Sequence, residues 1–190
     1  MEKESEVKEG VLNYKKRYTY ADYVKWDDDT RYELIDGVPY AMSAPSRRHQ
    51  KILGRLFLQL GNFLKGKSCE VYLSPFDVRL NADTCDDTVV QPDIVIICDD
   101  KKLNDAGCKG PPDMAIEILS PSTSNHDRIT KFNKYLQFGV REYWIIDPET
   151  ESLTVHIIKD EDYITRVYIE DSAPIHILGG FTIDLKDVFE

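Results

Sequence analysis

The spacing of apolar residues changes period several times along the chain, and each change marks a boundary between elements. Ile52, Leu53, Leu56, Phe57, Leu60 and Leu64 recur at helical intervals, which predicts one long amphipathic helix. Ser46 stands at its N-cap and Gly66 stops it. Beyond Gly66 the period shortens. Apolar runs at Val71–Leu80, Val89–Cys98 and Met114–Leu119, separated by loops rich in Asp, Gly, Lys and Pro, predict three strands. Helical spacing returns from about Ser124 to Phe138, with Ile129, Phe132 and Leu136 as the buried stripe, Ser122 or Thr123 as N-cap and Gly139 as the stop. Strands follow at Glu142–Asp147, Leu153–Ile158 and Tyr163–Ile169, with a last segment around Phe181–Leu185.

Upstream of the long helix, Tyr32–Ile35 and Val38–Met42 flank Asp36-Gly37, a strong two-residue hairpin signal. Thr19 and Asp22 have capping-box spacing and open a short helix through Val24 and Trp26. Residues 1–17 read as a flexible charged leader, and residues 18–190 as a single domain. The order helix, three strands, helix, strand predicts an α/β (α+β) fold. Two helices flank a mixed sheet, preceded by an N-terminal β-hairpin and followed by accessory strands.

Composition narrows the function. A hydrophobic fraction of 42% and a charged fraction of 31% describe an ordinary globular chain without a bilayer-length apolar run. The charged start MEKESEVKEG lacks a secretory h-region, so a cytoplasmic location is expected. Cys69, Cys85, Cys98 and Cys108 show neither a CxxC pair nor zinc-finger spacing, so four reduced thiols are expected. Basic residues number 24 against 34 acidic, and a net charge of −10 counts against avid binding of nucleic acid. A local metal or basic strip can still offset that field at a catalytic site.

The candidate chemistry lies on two of the strands. Gln91-Pro92-Asp93 opens one, and Glu117 sits near the end of the next. If the two pair antiparallel about a midpoint at 105, inside the loop that joins them, the two carboxylates lie opposite each other. By alternation Asp93 shares a face with Val95 and Ile97, and Glu117 shares another with Ala115 and Leu119. A Glu among Ile and Leu needs a partner, and a hard divalent cation relieves the repulsion of paired carboxylates. On the following helix Asp127, Lys131 and Tyr135 repeat every four residues, so Lys131 can reach toward the pair.

Pro92-Asp93, Glu117-Ile118-Leu119-Ser120-Pro121-Ser122-Thr123, Asp127, Lys131, Tyr135 and the run Gly139 to Pro148 resemble the Uma-two family of bacterial endonucleases, a branch of the PD-(D/E)XK superfamily. The resemblance spans roughly 18–188, including the Tyr32–Gly37 stretch and the helix opening at His49. It implies a restriction-endonuclease-like core in αβββαβ order, Mg²⁺ or Mn²⁺ dependence, and DNA as substrate. It assigns Asp93 and Glu117 to the metal. The superfamily pattern places a Lys at the position of Leu119, and the resemblance to this branch makes Lys131 its substitute.

Blander readings stand beside these. Glu33 is either a third acidic group or a solvent-facing strand residue; Asp127 and Lys131 also make an ordinary helix-surface ion pair. Tyr135 equally reads as a ring that covers the core edge. His49, beside Arg47 and Arg48, either meets a phosphate or belongs to a solvated basic turn. Two functions remain open: a metal-dependent DNA endonuclease, as a homodimer if it cuts both strands, or a catalytically silent module of the same fold that docks on another protein.

Overall fold

Two prolines decide where the chain changes sheets. The computed structural model describes residues 16–27, 29–121, 124–160, 162–169 and 171–190. It opens with α1 (Tyr20–Tyr23), where the Thr19 N–H donates to Asp22 Oδ2 at 3.0 Å as the capping-box spacing predicts. The hairpin β1 (Tyr32–Ile35) and β2 (Val38–Ala41) turns at Asp36 and Gly37, whose φ values of 50° and 73° are those a tight primed turn demands. Then comes α2 (Arg47–Leu64), capped by Ser46, whose side chain accepts from the His49 N–H. Its buried stripe contains Ile52, Leu53, Leu56, Leu60 and Leu64, whereas Phe57 lies at the exposed edge.

Each of the first two predicted strands is divided in two. Val71–Leu80 becomes β3 (Glu70–Leu73) and β4 (Val78–Arg79); Val89–Cys98 becomes β5 (Val89–Val90) and β6 (Ile94–Ile97). Pro75 and Pro92 fall at the breaks, and neither has an N–H to continue a ladder. The halves part company. Strands β3 and β6 pair with each other, then with β9 (Met114–Ile118), in the central sheet. Strands β4 and β5 join β1, β2 and two short strands, β7 (Leu103–Asn104) and β8 (Gly107–Lys109), in a second sheet ordered β2-β1-β5-β4-β8-β7.

After β9 the chain passes through a helix whose first part, His126–Lys131, is wound as a π-helix and whose second is α3 (Phe132–Phe138). The predicted Ser122 or Thr123 cap lies outside the described residues, as does the predicted leader apart from Lys16 and Arg17. This helix is the crossover that lets β10 (Glu142–Asp147) run parallel to β9. Strands β11 (Ser152–Lys159) and β12 (Asp162–Ile169) add antiparallel, giving the central order β12-β11-β10-β9-β6-β3. A final hairpin, β13 (Ser172–Ile175) and β14 (Phe181–Asp184), leads into α4 (Leu185–Phe189).

Alternation along the central strands makes two cores. Ile94, Ile96, Met114, Ile116, Trp144 and Ile146 pack with α2, the last hairpin and α4. Val95, Ile97, Ala115, Tyr143 and Ile145 face the crossover helix and the second sheet. No helix is long and apolar enough to cross a membrane among the described residues.

One expectation about cysteine is overturned. Cys69 and Cys98 form a disulfide, while Cys85 and Cys108 are free. The register that opposes Glu70 to Ile97 continues to bring Cys69 beside Cys98. Their separation of 29 residues carries no such signal; only strand pairing makes them neighbours.

Candidate active site

Where β5 gives way to β6, the two sheets diverge and leave polar side chains to meet in the cleft. Ile94 pairs with Ile116 and Val95 with Ala115, so Asp93 stands across from Glu117 at the next step of the ladder, as the midpoint at 105 requires. The two faces assigned separately from the sequence are one: Val95, Ile97, Ala115 and Leu119 belong to the same core. Asp93 is held from two sides. Its Oδ2 accepts the Ile118 N–H at 2.8 Å and lies 3.1 Å from His49 Nε2.

Glu117 is buried, and its Oε1 lies 2.8 Å from Lys131 Nζ and 3.2 Å from the Tyr135 hydroxyl, which donates to it. Lys131 also reaches Glu33 Oε1 at 2.9 Å and Asp127 Oδ1 at 3.4 Å. Glu33 comes from β1 and accepts the Gln91 N–H at 2.8 Å, which ties the hairpin to the Pro92-Asp93 corner. The Tyr143 hydroxyl donates to the Asp127 carbonyl at 3.1 Å and so pins the π-helical turn that carries Lys131.

Three carboxylates, those of Glu33, Glu117 and Asp127, thus gather around one buried ammonium. Burial alone would raise the Glu33 pKa, but the Lys131 charge, the nearby His126 Nε2 at 3.7 Å, and hydrogen bonds from Lys131 and the Gln91 N–H hold it down to about 2. Glu117 goes the other way. Burial raises it well above the ordinary carboxyl range, and although Lys131 pulls it down, Asp127, Asp93 and Glu33 push it further up. Lys131 sits almost equally close to both, so the divergence comes from the other partners: Glu33 has a backbone donor, and Glu117 has the crowd of like charges. Burial and the Glu117 charge keep the Tyr135 and Tyr143 phenols protonated, with pKa values raised well above the ordinary.

All seven residues singled out from the sequence meet in this cleft, and three bland readings fail on geometry. Glu33 is 3% exposed rather than solvent-facing, because its strand face turns toward the crossover helix. The Asp127–Lys131 pair is buried, not a surface pair. His49 is not part of a solvated turn; it is buried against Asp93 at the first turn of α2. Sequence reasoning missed His126, Gln91, Arg31 and Tyr40. Tyr40 was within reach, since the hairpin register alone makes it the cross-strand partner of Glu33. Among the described residues, no three His, Cys, Asp or Glu side chains already stand as a metal cage. The centre of the acidic group is filled by the Lys131 ammonium.

The architecture is a mixed α/β sheet between helices, with Asp93 just before one central strand, Glu117 on the next and a Lys brought in from the crossover helix. Comparison with a solved structure agrees on the fold. The crystal structure described as "a putative nuclease belonging to DUF820" from Anabaena variabilis superposes with a TM-score of 0.73 at 20% identity, covering 90% of this chain and 97% of that one. The uncharacterized protein slr1290 of Synechocystis sp. is 33% identical over 170 residues, 86% of this chain and 88% of its own. Residues 20–186 match the Uma2 family, described as "Putative restriction endonuclease", and the chain belongs to that family. Membership supports a nuclease-like function.

Proposed function

We propose that the protein is a metal-dependent endonuclease that hydrolyses DNA phosphodiester bonds in the cleft between the two sheets. The observation that carries this reading is the opposition of Asp93 and Glu117 in one ladder, with Lys131 Nζ 2.8 Å from the Glu117 carboxylate. The donor set fits a hard divalent cation. All its acidic groups offer oxygens, and Glu117 is crowded by the Asp127, Asp93 and Glu33 carboxylates with the Lys131 ammonium as the cation among them. Asp93 and Glu117 would hold Mg²⁺ or Mn²⁺, which when bound supplies an activated water and charge neutralisation at the phosphate.

The chain's own groups do the rest. His49 and the Ile118 N–H both engage Oδ2 and so fix the orientation of the Asp93 carboxylate, which lines the cleft. Lys131 brings a permanent positive charge to the centre, where it stabilises charge building on a phosphate oxygen. Tyr135 keeps its proton and holds Glu117 by donating to it. Cutting both strands of a duplex would need two copies, one site each, and a cytoplasmic substrate would be DNA within the cell.

The experiment is a calorimetric titration with Mn²⁺ of the parent and of Asp93→Asn, followed by nicking of supercoiled plasmid. The parent should bind in the micromolar to millimolar range and nick, and Asp93→Asn should do neither. The net charge of −10 favours the second reading, a silent docking module. Equal binding heats in parent and variant, with no nicking by either, would decide for that module.

A further inference from the structure

The acidic centre is the floor of a cavity of about 570 Å³, and the rest of that cavity has a different character. Tyr40 is the cross-strand partner of Glu33, so its ring rises from the same face of the hairpin and stands beside the carboxylates. It is 39% exposed, and the His126 ring packs against it with centroids 4.6 Å apart and planes tilted by 38°. Met42, Pro45 and Ile129 continue an apolar lip around this aromatic pair. On the remaining wall lies Arg31, whose guanidinium donates to Ser74 Oγ and Gln91 Oε1 at 2.7 and 2.6 Å. Both acceptors are uncharged; the Arg31 charge is felt by Asp77 but makes no direct ion pair with a carboxylate among the described residues, which leaves a face of the guanidinium for an anion.

Depth matters as much as lining. Glu33, Glu117 and Lys131 are all less than 5% exposed, and the Asp93 side chain only 18%. A phosphodiester must therefore come down into the recess to meet them. A stacked duplex presents its phosphates on a stiff convex rod, with bases paired inward and unable to enter a concave wall. One nucleotide swung out of a strand has the right parts: a flat face for an aromatic platform, and a phosphate for a cation. A cavity of this volume falls in the range that holds a ligand of about nucleotide size, roughly 300–1,000 Å³. The net charge of −10 points the same way, because the protein gains no long-range attraction for the dense charge of a duplex and must rely on contacts inside the pocket.

We infer that the cavity takes one unpaired nucleotide of a DNA strand, its base against Tyr40 and its phosphate toward Arg31 and the acidic floor. The preferred substrate is then single-stranded or locally unpaired DNA, not intact duplex. This rests on the endonuclease reading for the cut but not for the binding. Tyr40 and His126 are positioning residues here, acting on the base rather than the reacting atoms.

The test uses one oligonucleotide carrying 2-aminopurine, presented as a single strand, in a mismatch bubble and in full duplex, with chelator present so that nothing is cut. Fluorescence should change on binding of the first two and not the third. Tyr40→Ala should weaken single-strand binding by roughly tenfold or more, Tyr40→Leu likewise, and Tyr40→Phe should restore it, because stacking needs a ring. Circular dichroism confirms that each variant is folded. Duplex bound as tightly as single strand, equal binding by Tyr40→Ala, or no binding of any form overturns the inference. A second arm adds Mn²⁺ without chelator. Tyr40-dependent binding with no cutting removes the endonuclease reading and leaves the binding site standing. Duplex cut as fast as single strand, with no dependence on Tyr40, does the reverse.

Discussion

Replacing Glu117 by Gln should make the metal-free protein more stable, although it removes half of the proposed metal site. Lys131 Nζ lies 2.8 Å from Glu117, an attraction of about 6 kcal/mol at an effective dielectric of about 20. The same ammonium lies 2.9 Å from Glu33 and 3.4 Å from Asp127, so each of those carboxylates is within about 6 Å of Glu117 and repels it by at least roughly 3 kcal/mol. The two repulsions cancel the attraction. What remains is the Asp93 charge and the desolvation of a buried carboxylate, several kcal/mol per ion, both unfavourable. Gln keeps the shape and an oxygen for Lys131 and Tyr135 while removing the charge. A gain of about 1–2 kcal/mol is expected, which is roughly 2–8 °C in melting temperature for a chain of this size.

The pH dependence follows from the direction of the shift. Folding raises the Glu117 pKa above its ordinary 4.5, so between those two values the folded chain holds a proton that the unfolded chain has released. Stability of the parent therefore falls as pH rises through that window. Glu117→Gln escapes this fall, and the gap between the two proteins should open from about pH 4.5 upward. Thermal unfolding followed by circular dichroism, in chelator at several pH values from 4 to 8, reads it directly. A variant that melts below the parent at pH 8, or a gap that does not change with pH, would falsify the reasoning. Added Mn²⁺ should stabilise the parent and leave Glu117→Gln unmoved.

Lys131→Met should slow plasmid nicking by roughly a hundredfold or more, the scale of losing one charge-stabilising donor, and should also destabilise the fold by about 3–5 kcal/mol because it leaves buried carboxylates unpaired; parental nicking by folded variant would remove Lys131 from the mechanism. Lys134→Met is the control: Lys134 pairs with the exposed Asp36 at 2.7 Å, a contact worth about 0–1 kcal/mol, and nicking and melting should stay near the parent. Alkylation of the unfolded chain without reductant, read by mass spectrometry, should add two labels, at Cys85 and Cys108, and four after reduction; four labels from the start would mean that Cys69 and Cys98 are not bridged.

Much of the fold was legible because it is written in local signals. Asp36-Gly37 can turn only one way, and the two positive φ values that this pair tolerates set the hairpin and with it the opposition of Glu33 and Tyr40. The α2 stripe and its Ser46 cap are likewise local. The sheet switches at Pro75 and Pro92 were not, since a proline announces a break in a ladder but not which sheet receives the next residues. The same ignorance of register hid the Cys69–Cys98 bridge. Within the site, Asp93 and Glu117 were legible because a hairpin has a computable midpoint. Burial of Glu33 and His49 was not, because it depends on β1 meeting the distant crossover helix and on α2 meeting Asp93, 44 residues further along the chain. A strand residue and a helix N-terminal residue look alike whether they face solvent or a distant carboxylate.

A lysine that reaches the acidic group from the helix rather than from a strand has a physical consequence. At position 119, a Lys would stand on the same strand as Glu117, but Leu119 is buried and packs in the core with Val140 and Tyr143. That position therefore contributes apolar area instead of charge. Carried on the crossover helix, the ammonium comes from above the sheet and meets carboxylates from three separate elements: β1, β9 and its own π-helical turn. No single strand could supply that geometry. The π-helical winding of His126–Lys131 matters because the Tyr143 hydroxyl takes the Asp127 carbonyl, fixing the turn to β10 in the same sheet as Glu117. The cation is thus braced against the strand it serves. A charge held this rigidly does not need to reorganise when charge builds on a bound phosphate, which is the condition under which electrostatic stabilisation is strongest. The cost is the crowding of Glu117, and a divalent cation at Asp93 and Glu117 is the partner that would relieve it.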